Sequence, residues 1–227
     1  MLKKEVKDIL AKHEKYGWVT EPDALQIFSL YGFRTPRFDV ATDVAQAAAI
    51  AKEIGYPVVA KIVSHDVVHK SDVKGVVVGI KDDKTLEEAF RHISRIEGFD
   101  GMLIAEMVKG LELIIGAKND LQFGPMILLG MGGVGVEIYK DVSLRMAPLT
   151  GRDVEGMIDG LVAGKLLSGY RGGASVNMDE LKKTLIGFSG LMMDMRHLVE
   201  SIDLNPVMCT EKVCTIADAR IMLKKAG

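Results

Sequence analysis

Residues 57–80, PVVAKIVSHDVVHKSDVKGVVVGI, place two apolar β-branched runs on either side of a polar segment. Both runs have the length and composition of strands, so we predict two strands joined by a loop. Lys61 lies in the middle of the first run, where an ammonium group is costly unless it meets an anion or a wet cleft. A nucleotide phosphate would satisfy it, and the alternative is a lysine that snorkels from an edge strand.

Regular patterns continue on both sides of this stretch. Upstream, one helix is predicted from Thr20 to Gly32 and a second from an N-cap at Thr42 to Gly55. Downstream, residues 85–96 predict a helix and residues 101–108 a third strand, which completes an α/β lobe.

The second half of the chain predicts a different mixture of elements. Its strands are expected at ELIIGAK, PMILLG and VEIYKD, its helices near 151–163 and 177–199, and a final hairpin at SIDLNPVM and VCTIADARI. We therefore predict an α+β protein with an N-terminal helical segment (1–19), a first lobe (20–108) and a second lobe (109–227). Ligands commonly bind between two such lobes.

Composition narrows the possible functions. The 227 residues are 48% hydrophobic and 26% charged, which is typical of a globular protein. The net charge is -2 and like charges form no block, so electrostatics give no reason to expect nucleic acid as a partner. The N-terminus is charged and has no apolar signal region, and no apolar run is long enough to span a membrane, so we predict a cytoplasmic protein with reduced cysteines.

Three motifs nearly match known sites. HDVVH (65–69) resembles a zinc helix, but it lies between two strand-like runs, where histidines four apart need not converge. GMGGVG (130–135) fits the dinucleotide-binding pattern, but a strand-like sequence follows where that pattern requires a helix. GLVAGKLL (160–167) has one residue too few for a phosphate loop and lacks its Ser or Thr. The glycines at 130–135 still predict either a phosphate-facing loop or a glycine-rich turn between strands.

Polar side chains in otherwise apolar strands mark a second candidate site. Asp203, Asn205 and Asp218 lie in two stretches predicted to be neighbouring strands, and Asp203 and Asn205 share one face by the two-residue period. Oxygen ligands of this kind suit Mg²⁺ bound together with a nucleotide phosphate. Glu106, at the end of the strand GMLIAEMV, is predicted to be a buried acid of the same unusual kind.

These stretches together resemble the ATP-grasp subunit of the ADP-forming acyl-CoA synthetases, including the separate β subunit of the archaeal acetyl-CoA enzymes. The resemblance rests on HKSDVKGV, on DLQFGPMILLGMGGVGVE, and on SIDLNP with IADARI, and it extends over residues 15–224. It implies an ATP-grasp fold of two lobes with the nucleotide between them. It also implies a ligase activity: acyl-CoA, ADP and phosphate give the acid, ATP and CoA.

The resemblance implies roles at the matching positions. Nucleotide-binding positions of the family are matched by Lys61, Glu106, Met107, Val108, Glu112, Gly130, Gly132 and Gly133. Among them, Lys61 matches the phosphate lysine, and Glu106 with the next two residues matches the hinge that contacts adenine and ribose. Asn205 and Asp218 match magnesium ligands, and Asp203 stands where related enzymes often have Glu.

His69 matches the histidine of the family's HKSD motif, which is thought to receive or relay a phosphoryl group. A neutral imidazole is a competent phosphoryl acceptor, so a carrier role is chemically reasonable. A positional role at the nucleotide and a structural role are the alternatives. The neighbouring Asp66 and Asp72 are candidates to accept the second ring N–H. Lys74 departs from the family, which often has a small residue there.

The resemblance further implies a partner. No part of this sequence resembles a CoA-binding domain, so a CoA-binding α subunit with a second histidine is expected, and the family suggests an α2β2 assembly. Two other functions stay open: a self-contained ATP-grasp ligase that joins a carboxylate to an amine, and a non-catalytic nucleotide sensor.

Overall fold

The computed structural model describes residues 2–133, 141–169 and 175–224. Two compact units are present, which we call the small unit and the large unit. The small unit contains residues 20–23 and 36–108, and the large unit contains residues 1–19, 24–35 and 109–227.

The small unit is a four-stranded antiparallel sheet with two helices. The sheet order is β2-β5-β3-β4, formed by β2 (Phe38–Ala41), β5 (Gly101–Glu106), β3 (Val58–Val63) and β4 (Val76–Ile80). Helices α3 (Val44–Ile54) and α4 (Asp83–Ile93) bury apolar side chains in the same core as the sheet. The strand pair predicted from residues 57–80 is therefore confirmed, and Lys61 lies opposite Leu103 on one side and Val76 on the other.

Helix α3 begins one residue later than predicted. Asp43 is its N-cap, because the Asp43 carboxylate accepts a hydrogen bond from the Gln46 amide at 2.8 Å. The predicted cap, Thr42, instead donates to the Gln46 side chain. Aspartate and threonine are both good caps, so the sequence alone did not separate them.

The large unit contains a seven-stranded antiparallel sheet of order β1-β11-β9-β6-β7-β8, with β10 paired to β9. Its strands are β1 (Trp18–Val19), β6 (Leu111–Asp120), β7 (Gly124–Met131), β8 (Val142–Met146), β9 (Val199–Cys209), β10 (Cys214–Ile216) and β11 (Arg220–Leu223). Within the described residues, its helices are α1 (Lys4–His13), most of α2 (Glu21–Leu30), α5 (Gly151–Asp159) and α6 (Met178–Met195), with 3-10 turns at Glu14–Tyr16 and Gly164–Ser168. The predicted C-terminal hairpin is confirmed, because β9 pairs with both β10 and β11. The predicted strand VEIYKD lies mostly outside the described residues.

The two units divide the N-terminal part differently from the predicted boundaries of 1–19 and 20–108. Strand β1 pairs with β11, so the first residues belong to the large sheet. Residues 24–35 belong to the same unit, because Phe28 is fully buried and its ring contacts Phe33 and Phe188. The predicted start of the second lobe, Lys109, coincides with a boundary between the units.

Within the described residues, no helix is long and apolar enough to cross a membrane.

Candidate functional site

The central lysine of β3 pairs with a carboxylate of its own unit. Lys61 is 8% exposed, and its Nζ donates to Oε1 of Glu21 at 2.6 Å. Glu21 is 5% exposed and accepts from Lys70 through its other oxygen, Oε2. The cost of burying Lys61 is therefore offset by an ion pair, since two ammonium groups share one carboxylate. We call these three residues the Glu21 cluster.

Residues 64–75 connect β3 to β4 and carry both histidines of HDVVH. Residues 65–69 form bends rather than a helix, so the geometry of a zinc helix is missing. The Ser64 hydroxyl oxygen accepts from the amides of Asp66 and Val67 at 3.0 and 3.1 Å, which fixes the start of the segment. At its end, the Gly75 amide donates to the Lys70 carbonyl at 2.7 Å. We refer to residues 64–75 as the histidine segment.

The two histidines of this segment have different surroundings. His65 is partly buried, and both its backbone N–H and its ring Nδ1 lie within hydrogen-bonding distance of Oδ2 of Asp100, at 3.0 and 2.7 Å. His69 is exposed and precedes a tight turn in which the Asp72 amide donates to its carbonyl at 3.3 Å. The imidazole of His69 is exposed and lies next in sequence to Lys70 of the Glu21 cluster, so it is accessible to a phosphoryl donor. The His65 ring instead contacts the Asp100 carboxylate.

The turn that follows His69 contains a strained residue. Lys74 has a φ of +55°, in the left-handed region that side chains disfavour. The positive φ explains why a small residue suits position 74, where this sequence departs from the related family by having a lysine. Gly75 is required for a different reason, since a Cβ there would lie 2.5 Å from Cγ2 of Ile62 and 3.1 Å from the Lys70 carbonyl oxygen.

The predicted hinge residues lie at the end of β5. Glu106 is its last residue, and Met107 and Val108 follow outside the strand. The prediction that Glu106 is a buried acid is wrong: the side chain is 40% exposed and pairs with Arg37, whose Nε lies 3.3 Å from Oε2. The Glu106 amide also donates to the Arg37 carbonyl at 2.8 Å. Arg37 was missed because no sequence pattern connects it with a strand 69 residues away.

In the large unit, the glycines after β7 pack against Glu112. The Gly132 amide donates to the Glu112 carbonyl at 2.7 Å, and a Cβ on Gly132 would lie 2.7 Å from the Glu112 Cβ. Gly133 has a φ of +84°, and Gly130 has no room because a Cβ would lie 2.9 Å from Val142. Close packing and a left-handed turn therefore account for these three glycines, and a phosphate-facing role stays a prediction. Val134 and Gly135, which complete the motif, lie outside the described residues.

The sheet does not fit a Rossmann site, because β7 pairs antiparallel with both β6 and β8, whereas that site requires a parallel sheet. The GLVAGKLL stretch begins at Gly160, the C-cap of α5, and ends in the 3-10 turn Gly164–Ser168.

Two of the predicted magnesium ligands, Asp203 and Asn205, lie on β9, and Asp218 lies in the connection between β10 and β11. Strand β11 places Arg220 opposite Asp203, and the Ala217 amide donates to the Pro206 carbonyl at 3.0 Å. The connection that contains Asp218 therefore runs alongside Asn205, which is exposed. One amide and one carboxylate oxygen fit Mg²⁺, which is usually bound by one or two carboxylates together with waters and substrate phosphates.

Asp203 has a different environment from the other two. Its Oδ2 lies 3.2 Å from Nη2 of Arg220, in a half-exposed ion pair. Within residues 2–133, 141–169 and 175–224, no three His, Cys, Asp or Glu side chains are arranged to hold a metal ion. Arg220 was not identified from the sequence, although its place in the hairpin opposite Asp203 was available as a signal.

Apolar side chains line the same face of this sheet. Gly116 lies between Asp203 on β9 and Leu128 on β7, and Glu112 lies opposite Met208. Leu128 and Met208 are only partly buried. The face thus combines carboxylates with apolar groups, a combination that suits a ligand with a charged end and a flat apolar end.

Comparison with known proteins identifies the family of this chain. A family model described as an ATP-grasp domain matches residues 10–223. Subunit beta of an ADP-forming acetate–CoA ligase I from Pyrococcus furiosus is 40% identical over 213 residues, covering 90% of this chain and 91% of that protein. The chain belongs to the ATP-grasp family. Within it, the chain resembles the beta subunits of ADP-forming acetate–CoA ligases.

Solved structures give the same assignment. One is a Candidatus Korarchaeum cryptofilum acetyl-coenzyme A synthetase 1 with coenzyme A and Mg-AMPPCP, its phosphohistidine segment pointing towards the nucleotide site. It matches with a TM-score of 0.83 and 38% identity, covering 96% of this chain and 100% of that chain. A second structure of that enzyme, with the phosphorylated segment in another orientation called site I, gives a TM-score of 0.85 and 35% identity over the same shares of the two chains.

The chain spans about a third of some relatives. An ADP-forming acetate–CoA ligase I of Archaeoglobus fulgidus and a 4-hydroxybutyrate–CoA ligase of Nitrosopumilus maritimus are matched over 32% of their lengths.

Proposed function

We propose that this chain is the nucleotide-binding part of an ADP-forming acyl-CoA synthetase, and that His69 carries the phosphoryl group between ATP and the acyl site. The observation that carries the proposal is the exposed His69 on a segment anchored beside buried Lys61, in an ATP-grasp protein. The similarity to ligase beta subunits supports it. A carboxylate–amine ligase or a nucleotide sensor has no use for an exposed histidine in this position.

The phosphoryl step follows from the chemistry of imidazole. The lone pair of one His69 ring nitrogen forms the N–P bond while the bond between the γ-phosphorus and the bridging oxygen breaks. ADP leaves with that electron pair, and the other ring nitrogen keeps its proton during the step. Such a transfer needs in-line positioning and charge neutralisation more than covalent help from the protein.

The remaining residues supply that neutralisation and positioning. Lys61 contacts the phosphates, and Asn205 and Asp218 hold Mg²⁺, which neutralises phosphate charge when it is bound. Glu106, Met107 and Val108 contact the nucleoside, and Glu112 with the nearby glycines lines the nucleotide. We assign Asp203 to its pair with Arg220 rather than to the metal.

The other half of the reaction requires groups that we place on a partner. A CoA-binding α subunit with a second histidine would take the phosphoryl group from His69, and an α2β2 assembly is the arrangement suggested by the family. Longer relatives, which this chain matches over a third of their length, have room for such a part in one polypeptide. ATP and CoA are cytoplasmic metabolites, so we place the reaction in the cytoplasm.

The test is phosphate transfer from γ-labelled ATP and Mg²⁺ to the chain, purified with any subunit that accompanies it. Acid-labile, base-stable label is expected on this chain and is expected to disappear in His69→Ala. His197→Ala, which removes an exposed histidine of the large unit, is the matched control and should keep the label. Nucleotide binding without any label would contradict the carrier role and favour a one-chain ligase or a sensor.

A further inference from the structure

The Glu21 cluster joins two parts of the proposed mechanism through one carboxylate. Lys61 is on β3, at the proposed phosphate position, and Lys70 is the residue that directly follows His69. Consecutive Cα atoms are about 3.8 Å apart, so the ion pair between Lys70 and Glu21 also restrains the backbone of His69. Glu21 is thus within reach of both the phosphate-binding group and the phosphate-accepting segment.

The cluster is buried enough for these contacts to matter. The side chains of Glu21, Lys61 and Lys70 are 4%, 10% and 18% exposed. Ion pairs in such surroundings are screened far less by water and salt than surface pairs are. Two ammonium groups and one carboxylate leave an excess positive charge, which is the sign that attracts phosphate.

We propose that Glu21 is a positioning residue: it holds the histidine segment in its nucleotide-facing position by accepting from Lys70, while it orients Lys61. This inference rests on the proposed function. A segment that serves two sites must leave one of them, and the Lys70–Glu21 pair is a buried contact that has to break, whereas the contact of His92 Nε2 with the Lys74 carbonyl is exposed. Lys61 stays paired with Glu21 when the segment departs, so the buried carboxylate still has a cationic partner.

The first test measures the segment without any nucleotide, by amide hydrogen exchange on the full chain with any subunit that accompanies it. The amides of Asp72, Lys74 and Gly75 are hydrogen-bonded within the turn and report its opening. Lys70→Met removes the tie while Lys61 and Glu21 stay paired, and it should speed exchange in this turn on the order of tenfold, the value of one charge-assisted hydrogen bond. Lys52→Met, which removes an exposed ion pair with Asp83 in the same unit, should leave the turn unchanged.

A second variant tests whether Glu21 is the partner through which Lys70 holds the turn. Glu21→Gln alone should also speed exchange in the turn, and adding it to Lys70→Met should produce little further change, since both remove one interaction. Two independent effects that add fully would overturn the proposal. An unchanged rate of amide exchange in the turn of Lys70→Met would also overturn it.

The phosphorylation rate separates positioning from direct contact with the nucleotide. In Lys70→Met, labelling of His69 at saturating ATP should slow about tenfold while the ATP concentration for half-maximal rate changes little, because Lys61 is intact. A raised half-maximal concentration with an unchanged maximal rate would make Lys70 a phosphate ligand and overturn the positioning role. Absence of label in the unaltered protein would reject the proposed function, whereas the exchange data would still decide whether Glu21 holds the segment.

Discussion

Substituting Gly132 by alanine should disrupt the contact between the end of β7 and β6. The added Cβ would lie 2.7 Å from the Glu112 Cβ and 2.8 Å from its carbonyl carbon and oxygen. Two of these three atoms belong to the backbone of a central strand, so they cannot turn away as a flexible side chain would. The chain must instead move, which weakens the 2.7 Å hydrogen bond from the Gly132 amide to the Glu112 carbonyl.

The size of the effect follows from these two contributions. Overpacking costs about 1–3 kcal/mol, and loss of a backbone hydrogen bond adds about 1 kcal/mol, for a total of roughly 2–4 kcal/mol in the free energy of unfolding. With a urea dependence of about 2 kcal/mol per molar, the unfolding midpoint should fall by roughly 1–2 M. Because Gly132 leads into the proposed nucleotide loop, affinity for ATP should fall as well.

Gly116→Ala is the matched control for this prediction. It lies on β6 in the same sheet, and its added Cβ would be 3.6 Å from the Ile202 carbonyl oxygen and 3.7 Å from the Leu128 Cβ, which is ordinary contact. Its unfolding free energy should change by about 0.5 kcal/mol or less. If urea unfolding followed by circular dichroism gives the two variants equal midpoints, close packing is not the reason for glycine at position 132.

Three further predictions concern stability and reactivity. Lys74→Gly should raise the unfolding free energy by up to about 1 kcal/mol in urea unfolding, because it relieves a positive φ; a less stable variant would argue against strain. The pKa of the Cys209 thiol is raised by its hydrogen bond to Cys214 and by burial, so iodoacetamide at pH 8 should modify it far more slowly in the folded than in the unfolded reduced protein, as read by mass spectrometry; equal rates would contradict this. The pKa of Asp153 is lowered in the folded protein by its hydrogen bonds with Thr150. The Asp153 carboxylate therefore stabilises the fold above its ordinary pKa of 3.8, and this contribution is lost as the pH falls through the lower pKa of the folded state. Asp153→Ala should be less stable than the wild type at pH 7 and equally stable in strong acid.

Local signals were sufficient for most of the secondary structure. Strands β3 and β4 were predicted because β-branched runs with turn residues around them have few alternatives. The C-terminal hairpin and α6 were predicted for similar reasons, and the family resemblance supplied the ATP-grasp fold, which is confirmed. Errors at the ends were small: the strand predicted at 101–108 ends at Glu106, and the helix predicted at 177–199 ends at Met195.

Long-range pairing explains what the sequence did not reveal. Strand β1 is only two residues long, and its pairing with β11 joins positions about 200 residues apart, so no local pattern assigns the first residues to the large unit. The Glu21 cluster is similar: the carboxylate is 40 residues from Lys61 and 49 from Lys70. The cost of burying Lys61 did predict that an anion must be near, but burial cost gives the sign of the partner and not its position.

The two histidines of HDVVH show how far residue type and surroundings together define a role. Their spacing is the same as in a zinc helix, yet the segment is not helical, so spacing carries no metal geometry here. His65 has its ring nitrogen Nδ1 on Asp100 and its amide on the same oxygen, an arrangement that fixes the start of the histidine segment. His69 is exposed and is followed by the lysine that contacts Glu21. The proposed carrier role requires an exposed ring, and of these two histidines His69 is the exposed one. Its proposed anchor is the contact of the next residue, Lys70, with Glu21.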